Sequence, residues 1–158
     1  MNIYKITPKY HVTGVLELES VKRLPQLGFA KVICNRPDSE APNDEQSEHM
    51  RIAVTQAGMA FEYNPVTMTS FSPELVRTQT DAVLNTQGGV FAYCATGRRS
   101  TMLWAFEFAH QRAPDDLIQQ AGRAGMDISS MKDRLERIYQ SGLHYLRIPY
   151  SLLLMIID

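Results

Sequence analysis

The sequence is poor in several things that would define a specialised protein. It holds only two cysteines, Cys34 and Cys94, too few for a disulfide framework, and neither belongs to a Cys-x-x-Cys pair or a His/Cys cluster at ligand spacing. A structural zinc site is therefore not expected, and a reducing cytoplasm suits both thiols. The four histidines, His11, His49, His110 and His144, are scattered, so no metal is implied, and no motif calls for an organic cofactor. There is no excess of positive charge: 16 Lys plus Arg against 17 Asp plus Glu leave a formal net charge of -1. Without a basic stripe, a nucleic-acid partner is not expected. Long apolar runs are missing too. The start, Met1 to Ile6, alternates apolar and polar residues instead of forming the apolar core of an export signal. The most apolar stretch, Ser151 to Asp158, is far short of the roughly 20 residues that span a bilayer.

The 158 residues, 44% apolar and 21% charged, suit one globular domain. We divide them into a domain over 1–142 and an apolar extension over 143–158. That extension packs on its own domain or on a second copy as a homodimer contact, a membrane foot being the weakest option. Period and punctuation predict strands near Tyr10–Val15, Ala30–Cys34, Ala60–Tyr63 and Val90–Tyr93. They alternate with helices around Leu18–Leu27, Asp44–Ala57, from Pro73 with Ser72 as N-cap, and from the Cys94 loop to His110. Two amphipathic helices, about Pro114–Ala124 and Met131–Ser141, follow with a break at Gly125. Such alternation predicts an α/β fold, a mostly parallel central sheet with helices on both faces.

Chemistry concentrates between Val90 and Phe108. Cys94 sits between an apolar strand and the start of an apolar helix, where unpaired N–H groups and the positive end of the helix dipole welcome an anion. The same field favours thiolate over thiol and makes the sulfur a nucleophile near neutral pH. Gly97 lets the loop curl so that successive N–H groups point inward. Arg99 brings a guanidinium fork that matches two anion oxygens. The expected anion-binding loop is thus Ala95, Thr96, Gly97, Arg98, Arg99 and Ser100, with the Arg98 side chain facing solvent. Ser100 or Thr101 can cap the helix, and Ser100 can donate to the sulfur. A lone strand-end cysteine is more often a small buried hydrophobe, but strand, Cys-x-x-Gly-x-Arg-Ser and apolar helix in direct succession favour the anion site.

The segments Val32 to Asp38, Asn64-Pro65-Val66-Thr67 and Tyr93 to Ser100 with Leu103-Trp104 together resemble the bacterial beta-lactamase hydrolase-like protein phosphatase-like domain, also called DUF442. The similarity runs from residue 1 to about residue 138. It implies the fold of tyrosine and dual-specificity phosphatases, in a family whose members occur alone or fused to sulfur-metabolism enzymes. It also implies Cys94 as nucleophile, Arg99 as anion clamp, and Arg36 and Asp38 on a neighbouring loop over the site. Arg36 is accordingly counted with the anion-binding residues and Asp38 with the catalytic ones.

Two departures from phosphatases stand out. Their loop is Cys-x5-Arg, whereas Cys94 and Arg99 are separated by four residues, the rhodanese length. No Asp follows Pro65-Val66 to protonate a leaving oxygen, a loss of about 10²–10⁴-fold unless Asp38 swings in. Asp38 has two readings, general acid or a loop carboxylate that pairs with Arg36 or caps a turn. Cys34 likewise reads as a buried strand residue or as a resolving thiol. The first expectation is therefore a sulfurtransferase carrying a Cys94 persulfide, with thiosulfate or a persulfide as its small anionic substrate. A phosphatase acting on phosphate monoesters through a phosphocysteine is the alternative, and a non-catalytic anion-binding module the third.

Overall fold

The computed structural model describes residues 1–142; the extension 143–158, and with it the expected homodimer contact, lies outside the described residues. Five strands form one sheet in the order β1-β2-β5-β3-β4: β1 (Tyr4–Lys5), β2 (Tyr10–Thr13), β3 (Phe29–Cys34), β4 (Ala60–Tyr63) and β5 (Gly89–Tyr93). β2, β5, β3 and β4 run parallel, and only the edge strand β1 is antiparallel. The parallel sheet was legible in the apolar runs of β3 and β5, which are buried on both faces as crossover topology requires. β1 was not expected as a strand; it is two residues long and is held by pairing Tyr4 with Val12 and Lys5 with His11.

Helices cover both faces. On one side α1 (Leu18–Val21) and α2 (Ser47–Gln56) close a core of Leu16, Leu24, Val32, Met50, Val54 and Phe91. On the other, α3 (Pro73–Leu84), α4 (Arg98–Phe108), α5 (Pro114–Arg123) and α6 (Lys132–Ser141) surround the larger core. α4 packs against α3, α5 and α6, which is why Met102 to Phe106 are apolar around most of the helix and all buried. Burying each such large side chain contributes about 1.5–3 kcal/mol.

Two expected helices are shorter than their sequence windows. The Leu18–Leu27 segment breaks after Val21 and resumes as a 3₁₀ turn at Pro25–Leu27, since Pro25 has no N–H to continue the ladder. α2 starts at Ser47 and not Asp44, because Asn43–Glu45 forms its own 3₁₀ turn. The Ser72 cap is present, its hydroxyl accepting from the Leu75 N–H. Among the described residues, no helix is long and apolar enough to cross a membrane.

Candidate active site

β5 and β3 lie side by side with Tyr93 opposite Cys34, so the chain leaves the carboxyl edge of the sheet at Cys94 and at Asn35 together. Ligands of parallel sheets bind at such an edge. Cys94 is fully buried, and its sulfur accepts the Gly97 N–H at 3.1 Å. Gly97 makes that bond by adopting φ 88°, and a Cβ there would meet Met126 Sδ at 3.1 Å and the Thr13 carbonyl oxygen at 3.2 Å. Next to Thr13, a Cβ at Gly14 would lie 3.1 Å from the Ala95 oxygen. The loop is thus wedged between the end of β2 and the turn after α5, while Ala95 and Thr96 remain exposed at its crest.

Arg99, on the first turn of α4, extends its guanidinium to the segments that follow β3 and β4. Nη1 and Nη2 donate to the two carboxylate oxygens of Glu40 at 2.8 and 2.6 Å, and Nη1 also donates to the Val66 carbonyl at 2.6 Å. Burial lowers the pKa of Arg99, but the hydrogen bonds to Glu40 and the charges of Cys94 and Glu40 outweigh it and hold it above its ordinary value. Hydrogen bonding from Arg99 holds Glu40 below the usual carboxylate range despite partial burial, helped by the charges of Arg99 and Arg36.

Several sequence expectations change here. Asp38 does not face the cysteine loop's arginine; its oxygens accept from the Ser47 N–H at 2.7 Å and the Ser47 hydroxyl at 2.8 Å, so it caps the start of α2. Arg36 does not offer its fork to an anion. Its Nη1 pairs with Glu45 at 3.0 Å and its Nη2 donates to the Glu40 carbonyl at 2.6 Å, fastening the acidic loop. Ser100 donates to Asn35 Oδ1 at 2.8 Å and not to the sulfur, and Thr101 bonds the Gly97 carbonyl, so neither hydroxyl is the N-cap that was expected. Arg98 reaches the Asp127 carbonyl at 3.0 Å and Ser130 at 3.2 Å, so only its backbone belongs to the loop. Cys34 points its sulfur at the Arg36 carbonyl, 3.3 Å away, within the smaller core.

Sequence reading missed two groups. One is Glu40. The other is a buried amide network behind the loop: Asn35 and Gln79 bond reciprocally at 2.8 and 3.2 Å, Asn64 donates to Gln79 at 3.0 Å, and Gln79 donates to Tyr10 Oη at 2.7 Å. Tyr10 in turn donates to the Ser100 carbonyl at 2.9 Å. Burial drives the Tyr10 phenol well above its ordinary value, so it remains a donor at any physiological pH. The network fixes the strand ends and the first turn of α4 as one body, and the Val66 N–H bond to the Asn35 carbonyl sets the carbonyl that Arg99 grips. Among the described residues no three His, Cys, Asp or Glu side chains converge to hold a metal ion.

Comparison with known proteins fits this geometry. The sequence model of the family described as beta-lactamase hydrolase-like protein, phosphatase-like domain, matches residues 2–111. The chain belongs to that family. A beta-lactamase hydrolase-like protein of Xylella fastidiosa is 29% identical over 139 residues, which is 87% of this chain but 32% of that protein. The chain thus spans about a third of the length of such curated relatives. A Neisseria meningitidis crystal structure described as a candidate phosphatase superposes with a TM-score of 0.79 at 29% identity, covering 87% of this chain and 99% of that one. The core catalytic domain of a yeast PP-IP phosphatase shares the fold at 13% identity and a TM-score of 0.65, with 86% and 84% covered. The fold is that of the cysteine-dependent phosphatases related to the tyrosine and dual-specificity enzymes.

Proposed function

We propose that the chain hydrolyses phosphate monoesters through a phosphocysteine on Cys94. The observation that carries this reading is that the Arg99 fork, at the helix end of the Cys94 loop, already grips a two-oxygen anion, the carboxylate of Glu40. A phosphoryl group offers the same pair of acceptors at higher charge. In this mechanism the Cys94 thiolate attacks phosphorus in line with the ester oxygen. The S–P bond forms as the P–O bond breaks, with Arg99 and the N–H groups of the Ala95–Ser100 loop holding the equatorial oxygens. Water then attacks the phosphocysteine, and the S–P electron pair returns to sulfur as phosphate departs. Family membership and the Neisseria relative support phosphate chemistry ahead of the sulfur transfer expected first.

Sulfur transfer stays as a second reading because one observation favours it: four residues separate Cys94 from Arg99, and no Asp follows Pro65-Val66. Thiosulfate releases sulfite without a strong proton donor. Two assays decide. An aryl phosphate should release its phenol and, in rapidly quenched samples, leave a phosphoryl adduct on Cys94. Thiosulfate followed by cyanide should yield no thiocyanate above that of Cys94→Ser. Thiocyanate together with a cyanide-labile sulfur on Cys94, and no phenol, would reverse the assignment.

A further inference from the structure

The anion site is filled from within by Glu40, and the loop that carries Glu40 is built with unusual care. The Arg36 Nη2 holds the Glu40 carbonyl at 2.6 Å and its Nη1 holds Glu45. Asp38 caps Ser47 at the far side, and the Asp38 N–H donates to the Tyr63 hydroxyl at 3.1 Å. An acidic surface connection has no need of four such fastenings. Their joint effect is to aim one carboxylate at Arg99 while leaving it 38% exposed, able to leave.

Resting on the phosphatase reading, we propose that Glu40 is both the group that substrate displaces from Arg99 and the proton donor to the leaving oxygen. The Nη2 of Arg99 has Glu40 as its partner, and Nη1 divides itself between Glu40 and Val66. A phosphoryl group therefore binds by exchange: its oxygens take the two Arg99 donors, and the carboxylate swings aside on its exposed side. The charged groups around it are Arg99 on α4, Arg36 at the end of β3 and, through Arg36, Glu45. In the free protein Glu40 is held ionised, chiefly by the hydrogen bond from Arg99, and cannot donate. Exchange removes that bond and sets the carboxylate beside a phosphoryl anion, and like charge favours its protonated form. The proton comes from solvent or from the monoanionic ester.

The carboxyl then protonates the ester oxygen as the P–O bond breaks. The carboxylate left behind accepts a proton from the water that attacks phosphocysteine. Each half-reaction returns the proton that the other consumed, and no oxidant or cofactor enters. Asp38, both of whose oxygens are bonded to Ser47, is left with the role of a cap.

The test uses Glu40→Gln, which keeps the shape and removes the proton. Aryl phosphates of graded leaving-group pKa should separate the roles: turnover of the poorest leaving groups falls by about 10²–10⁴-fold, and that of the best ones stays near wild type. The alkaline limb of the pH profile should vanish for the poor leaving groups. Inorganic phosphate should protect Cys94 from iodoacetamide at lower concentration in Glu40→Gln than in wild type, because its internal competitor is a weaker acceptor. Equal slowing across leaving groups would overturn the donor role, and weaker protection would overturn the exchange and make Glu40 a support for Arg99. If wild type hydrolyses no aryl phosphate, the donor role falls with the phosphatase reading. The protection assay, which needs no turnover, then still decides the exchange.

Discussion

Cys34 ends β3 and Cys94 directly follows the adjacent parallel strand β5, one register step further on, and their exposures of 2% and 0% do not tell them apart. What differs is the company of each sulfur. Cys34 sits in the smaller core with its sulfur against a carbonyl oxygen, an acceptor that an anion would find repulsive. Burial pushes its thiol up to about 11. Cys94 receives a backbone N–H from a left-handed glycine, and its charge interacts favourably with the Arg99 guanidinium. Both are buried thiols at a sheet edge, so the reactivity proposed for Cys94 rests on the direction of neighbouring dipoles and not on access.

The sharpest way to break this contrast is to remove each sulfur in turn. Cys94→Ser should bring phosphate ester hydrolysis to background, whereas Cys34→Ala should leave kcat/KM near wild type and cost about 1 kcal/mol of stability. Loss of activity in Cys34→Ala without loss of fold would restore the resolving-thiol reading. The next largest effect is expected from Asn35→Ala, in the amide network behind the cysteine loop. It strands Ser100, Gln79 and the Asn64 carbonyl, so urea unfolding should report a loss of about 3 kcal/mol, with reduced turnover as α4 loosens. A cost below about 1 kcal/mol would mean that water replaces the amide.

The smallest effect is in pH. Cys34 titrates at 9.0 when unperturbed and near 11 in the fold, so between these values the unfolded chain has already lost a proton that the folded one keeps. Stability is complete below about pH 9 and falls as pH rises toward 11. Cys34→Ala should flatten that decline in urea midpoints, while the tyrosines Tyr10 and Tyr93, held protonated by burial, extend the remainder to more alkaline pH.

Much of this was visible beforehand, for physical reasons. β3 and β5 are buried on both faces and announce themselves as apolar runs; the Ser72-Pro73 start of α3 is local chemistry. Cys94 and Arg99 were legible because a strand, a glycine turn and a helix follow in one stretch of chain. Glu40 was not. It is one of five carboxylates between Asp38 and Glu48, and only the Arg36 fastening decides which one turns inward. Asp38 was the natural choice from its place after Pro37, yet a free N–H at the head of α2 claimed it. Asn35, Asn64 and Gln79 were invisible for another reason: their bonds to one another span 15 to 44 residues, and isolated amides carry no period.

The glycines that flank the cysteine loop set a limit on how far this scaffold can be exchanged with its longer-looped cousins. With Thr13 and Met126 closing on Gly97 and Gly14 meeting Ala95, even an added Cβ at either glycine would be crowded. Grafting a seven-residue loop would require the end of β2 and the turn after α5 to part together. Loop length is in this sense tied to the flanking shell, in which Gly14, Gly97 and Met126 fit the short cradle.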